Sequence, residues 1–406
     1  MIIIKYFPNK KINMSDNFLK LLISMFLITT FVSREISNLI IILILAISLS
    51  FLATNKINLT KVDKILISLI FSFTLLILTA AFIHASPISE VDTYLRPLIL
   101  LPIYLLMKEI KFSENQISWL FIFCIISSIS LFLFYGSNLY HDHRYTGSSS
   151  VVLTYSNMIM TILLFIILMF SQKKINFIIK ISSLLIAFFL LLETNSKGSI
   201  LSFLICIPFI IYFDKKLFKP IILVITISSV LIYFSPLSAR IATFIDSIAT
   251  IDLNNITNST NENFSENERI YYYYYSFTQI YNHPFIGIGP GNFEDLIKKQ
   301  IYKDNLNITA RDHAHNEFLD IAAKFGIITV SIFISTLVYF FIIFLRLQNT
   351  YITRCGILTI VSQVGFMITQ SQFAHNQAIV FFFFLLYLLL SQTREINKYN
   401  SIEENS

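Results

Sequence analysis

Ahead of a long apolar run the chain reads Arg311-Asp312-His313-Ala314-His315-Asn316. An imidazole with the ordinary pKa of about 6.5 is a usable general base near neutral pH. At the mouth of an apolar segment, His315 stands where such a base would meet a hydroxyl on a lipid-borne substrate. The competing role is a surface histidine at a helix start, with Asp312 and Asn316 as simple caps. His313 is expected to face roughly opposite to His315, so the two need not act together. Arg144, Lys197, Arg269 and Arg311 have the charge to hold a diphosphate, and arginine has the matching fork for its oxygens. The same four also suit plain anchoring to lipid headgroups.

Two further patterns carry weaker chemistry. The run Gly287-x-Gly289-x-Gly291 follows no strand and lacks the Lys-Ser/Thr of a phosphate loop, and Pro284 and Pro290 make a tight turn its expected role. His141, His143, His313, His315 and Asp312 have metal-ligand types. They come from loops far apart in sequence, and no Asp-x-Asp is present, so no metal and no cofactor is expected.

The elements that must position these residues are membrane helices. The 406 residues are 55% hydrophobic and 13% charged, against about a quarter charged in soluble domains. Mean hydropathy is +0.70 and the apolar residues come in long runs, so a polytopic all-α membrane protein is expected. About twelve spans are expected, near 17–33, 37–53, 62–84, 95–107, 117–136, 150–171, 177–194, 199–213, 219–235, 319–345, 355–371 and 377–391. Pro97 and Pro102 predict a kinked or re-entrant segment at 95–107. Cys124, Cys206 and Cys355 fall inside apolar runs and suggest neither disulfides nor zinc. No removable signal peptide is expected, since no small-residue cleavage site follows the first apolar run.

With the N-terminus inside, 19 of the 30 lysines and arginines fall on inside segments, and the short outside loops hold only Arg34, Arg96, Arg144 and Lys197. Both termini are therefore expected on the cytoplasmic side of the membrane. The expected division is a transmembrane bundle at 1–235, an outside segment at 236–318, and C-terminal spans with a tail at 319–406. Residues 251–268 have a loop composition, whereas Arg269 to Tyr281 reads as a tyrosine-rich helix suited to the membrane interface. The polar clusters all fall on the outside face. The net charge of +6 is accounted for by the inside loops and implies no nucleic acid.

At these residues the sequence resembles the O-antigen ligase family, within the wider group of O-antigen ligases and polymerases. His315-Asn316, nine residues, Gly326, two residues and Thr329 match the family's His-Asn signature. The upstream His-Pro-x-x-Gly-x-Gly-x-Gly-x-Phe at 283–293, the pair Glu268-Arg269 and Arg144-x-x-Gly147 are similar to further family blocks. Many members have Ser-Arg-Gly where this chain has Ser196-Lys197-Gly198; lysine keeps the charge and loses the two-pronged geometry. The resemblance implies a GT-C-like, metal-independent glycosyltransferase with a periplasmic site. Its donor would be a glycan on undecaprenyl diphosphate, and its acceptor a sugar hydroxyl of the lipid A–core oligosaccharide. His315, Arg269 and Lys197 would be catalytic, and Arg144, Arg311, His313 and Asn316 would bind substrate. The alternatives are an O-antigen polymerase, which takes a second lipid-linked glycan as acceptor, and a lipid-glycan transporter.

Overall fold

The computed structural model describes residues 15–393 apart from 142–143, 150, 173, most of 220–263, 305–307 and 348–349. Helices α1 to α9 are Asp16–Thr30, Arg34–Thr54, Lys61–Ile83, Asp92–Ile99, Leu101–Met107, Glu114–Tyr135, Val152–Met169, Phe177–Glu193 and Lys197–Phe213. Then come α10 (Phe264–Asn282), α11 (Phe293–Lys303), α12 (Glu317–Phe325), α13 (Ile327–Arg346), α14 (Tyr351–Met367) and α15 (Asn376–Ser391). The span expected at 219–235 lies largely outside the described residues, as does the loop expected at 251–263. The chain is a predominantly helical membrane protein: α2, α3, α6, α7 and α13 are long and apolar enough to cross a bilayer, and α9, α14 and α15 are shorter apolar helices.

Local chemistry sets the helix starts. Ser15, Ser33, Thr60, Ser113 and Thr350 each cap a helix by accepting a backbone N–H, and the last three form capping boxes. The expected kink at 95–107 is a break at Leu100 between α4 and α5, with Pro102 in the first turn of α5, where a missing N–H costs no helical bond. Burial sorts the helices into layers. Nearly every residue of α7 and α15 is buried, whereas α2 and α3 leave a wide apolar face outward. Cys124, Cys206 and Cys355 are free thiols buried within the bundle.

The loops gather at two ends. At one end Ser148 Oγ donates to Thr30 O at 2.6 Å, Gln377 Nε2 to Thr30 O at 3.1 Å and His84 Nε2 to Gly287 O at 3.1 Å. At the other, Phe112 N donates to Gln392 Oε1 at 2.7 Å, and buried Asp63 pairs with Lys108 and accepts from Tyr104 OH at 2.6 Å. A cavity of about 840 Å³ opens at this second end, with Glu114, Lys174, Asp214 and Arg354 among its lining residues.

Three sequence expectations change. The run at 319–345 is two helices, because Gly326 at φ +89 turns the chain between α12 and α13. A Cβ there would lie 2.1 Å from Phe285 O, and Ile327 N donates to Pro284 O at 2.7 Å, so backbone packs directly on backbone. Residues 264–268 are helical, not loop, since they form the first turns of α10. The loop before α7, expected without strands in an all-α chain, holds a short antiparallel pairing of Tyr140–His141 with Arg144–Tyr145. The glycine run makes the expected tight turn, with Gly287 and Gly289 at φ +71 and +86.

Candidate active site

The site is built on the start of α12. Asn316 caps this helix, its Oδ1 accepting from Leu319 N at 3.1 Å, and its Nδ2 donates to Ile368 O at 3.0 Å, which ties the cap to the loop after α14. The residue before the cap, His315, has φ +54. For a side chain with a Cβ this left-handed conformation costs about 1–2 kcal/mol. The surroundings hold it there. Ala314 N donates to Asp320 Oδ1 at 2.8 Å, and Tyr273 OH donates to His315 O at 3.3 Å. Asp320 is fully buried, and its Oδ2 accepts from Tyr94 OH and Lys324 Nζ, each at 2.9 Å.

Side chains two residues apart on extended backbone share a face, so the expected opposite facing of His313 and His315 does not hold. His313 and His315 do not point apart: their rings lie 4.5 Å apart, centroid to centroid. His315 stacks on Tyr272 at 5.6 Å. Its Nδ1–H donates to Gln370 Oε1 at 3.1 Å, which leaves Nε2 as the basic nitrogen. Burial first, then the neighbouring His313, and then Arg269 and Arg311, push the His315 pKa down to about 3, while the Gln370 bond acts the other way. The imidazole is therefore neutral, and its lone pair is free for a proton at neutral pH.

His313 Nδ1–H donates to Asp312 Oδ1 at 2.6 Å, and this bond holds the Asp312 carboxyl well below the usual range. His375 comes from the loop ahead of α15, and its ring lies 6.2 Å from that of His313. Burial pushes its pKa down to about 4. Glu317 is fully buried at the first position of α12, and its Oε2 accepts from Phe373 N at 2.9 Å. Burial and the Asp320 charge raise its pKa to about 8, so it carries a proton at neutral pH.

Arg269 and Arg311 lie close enough to act electrostatically on the His315 ring, and Arg311 also acts on Tyr272. Arg144 and Lys197 form a neighbouring group. Arg144 Nε donates to Thr194 O at 3.2 Å, just ahead of Lys197, the first residue of α9. A Cβ on Gly198 would lie 2.9 Å from Thr369 Oγ1, so this helix start packs against the loop that supplies Gln370. The structure thus brings His315, His313, Asn316, Arg269 and Arg311 into one cluster, with Lys197 and Arg144 one loop away. Among the described residues, no group of three or more His, Cys, Asp or Glu side chains is arranged to hold a metal.

Sequence reasoning did not single out Gln370, His375, Glu317 or Asp320 as functional. Gln370 is uncharged, and His375 is a single histidine beside a span.

The family model described as O-antigen ligase matches residues 182–334. That stretch includes Lys197, Arg269, Arg311, His313, His315 and Asn316, and it excludes Arg144. The chain is also 23% identical over 391 residues to an uncharacterized protein of Haemophilus influenzae, covering 90% of this chain and 96% of that one. The match at residues 182–334 supports an O-antigen ligase family assignment.

Proposed function

We propose that the protein transfers a glycan from undecaprenyl diphosphate to a hydroxyl of the lipid A–core oligosaccharide, at the periplasmic face of the bacterial inner membrane. The observation that carries this reading is the neutral His315, held by Gln370 through Nδ1 and flanked by Arg269 and Arg311. His315 Nε2 takes the proton of the acceptor hydroxyl as that oxygen attacks the anomeric carbon. The bond from this carbon to the diphosphate breaks, and the electron pair leaves with the diphosphate. Arg269 and Lys197, with Arg144 and Arg311, stabilise the charge that develops there. Attack opposite the leaving group inverts the anomeric carbon. The lipid diphosphate is already an activated leaving group, so the step uses no metal.

The low His315 pKa has a role in this scheme. With the site empty, the cations disfavour protonation; a bound diphosphate offsets their charge and raises the proton affinity of Nε2. The base thus strengthens when the donor arrives. Asn316 and His313 shape the wall of the site.

Purified protein should join a lipid-linked glycan to lipid A–core in detergent. A deletion strain should show bare lipid A–core and retained lipid-linked polymer. Core capped with a single repeat in that strain would instead indicate the polymerase, whose acceptor is a second lipid-linked glycan.

A further inference from the structure

The tyrosine-rich α10 divides its aromatics between two surroundings. Tyr271, Tyr272 and Tyr275 are buried against α11 and α12, so they do not sit at a membrane interface. Phe277 and Tyr281 lie one turn apart on the other face, 60% and 87% exposed, and the turn that follows adds Phe285 at 72% together with Ile286. An exposed aromatic stripe of this size on a segment of polar composition calls for a covering.

Its position says which covering. Pro284 O accepts from Ile327 N, the first residue of α13, and Gly287 O accepts from His84, which caps α3. The stripe is therefore pinned where two long apolar helices end. At that level Phe82 on α3 is 87% exposed, and Ile88 in the next loop is 74% exposed. Both α3 and α13 carry outward apolar faces along their length, so the stripe continues surfaces that already face lipid.

We propose that the end of α10 and the turn at 283–287 lie in the bilayer interface, with Phe277, Tyr281, Phe285 and Ile286 inserted among the lipid chains of the leaflet on the His315 side. An element of this kind sits with its apolar face about 5–10 Å into the headgroup boundary. The inner face of the same helix carries Tyr272 and Tyr273 against His315, so the membrane contact fixes the height of the site above the lipid.

The test uses the full chain in phosphatidylcholine vesicles, with its single tryptophan, Trp119, replaced by phenylalanine. Phe285→Trp and, separately, Tyr281→Trp then report on the stripe. Tyr302→Trp serves as the control, because Tyr302 is 89% exposed on α11 and away from the stripe. Acyl-chain-brominated lipid should quench the first two at least about twofold more than the control, with blue-shifted emission. Aqueous iodide should quench the control alone. Iodide quenching at position 285 or 281 would overturn the proposal. So would shielding from both quenchers, which would mean that a second protein surface covers the stripe.

Discussion

Replacing Gln370 by glutamate puts a negative charge on His315 with almost no change of shape. The two side chains meet at 3.1 Å through the nitrogen that the proposed reaction does not use. Two unit charges about 4 Å apart at an effective dielectric near 20 attract by about 4 kcal/mol, which corresponds to a pKa rise of up to about 3 units. A carboxylate beside a titrating group commonly shifts it by about 1–3 units, so the His315 pKa should move from about 3 to about 4–6. The assay is kcat/KM for glycan transfer by purified protein from pH 4 to 8, since this ratio reports titration in the free enzyme. The wild type should hold its rate down to the lowest pH, and Gln370→Glu should lose activity below about pH 5–6 as His315 becomes protonated. Thermal melts over the same range separate this loss from unfolding. Superimposable profiles would refute the pairing of Gln370 with the catalytic imidazole.

Four simpler outcomes accompany it. His315→Ala should abolish transfer while the protein still inserts in the membrane; full activity in that variant would remove the proposed base. Arg269→Ala should lower kcat by about 10²-fold or more, the usual effect of losing a donor that acts on developing charge, whereas a tenfold loss would leave Arg269 an anchor. Lys197→Arg should remain active in the ligation assay, because the position requires charge; an inactive variant would show that the lysine does something arginine cannot. Glu317 has a folded pKa of about 8 against an ordinary 4.5, so the folded state binds the extra proton and stability declines as pH rises between those values. Glu317→Gln resembles the protonated acid, so its melting temperature should exceed that of the wild type increasingly towards pH 8.

The membrane helices were legible because their signal is local. Desolvating a run such as Val152–Met169 depends on its own side chains, and Pro97 and Pro102 act on their own backbone. The break at Gly326 escaped because Phe325 and Ile327 continue the apolar pattern; what turns the chain is the approach of Phe285 O from a distant segment. At the site, the histidine and the nearby arginines were legible from their types and order. The facing of His313 was misread, since residues two apart on extended backbone share a face, and the left-handed φ at His315 is held by Asp320, Tyr94 and Tyr273. Gln370 and His375 reach the cluster from beyond three helices, and no property of a lone neutral side chain announces such a meeting.

The three native cysteines have a practical consequence. Maleimides react with thiolates, and a thiol sealed in an apolar bundle does not meet the reagent. A single cysteine introduced into any connecting loop can therefore be labelled from one side of sealed vesicles without first stripping out Cys124, Cys206 and Cys355. Loop by loop, such labelling would reveal which end of the bundle faces the cytoplasm while the rest of the chain stays native.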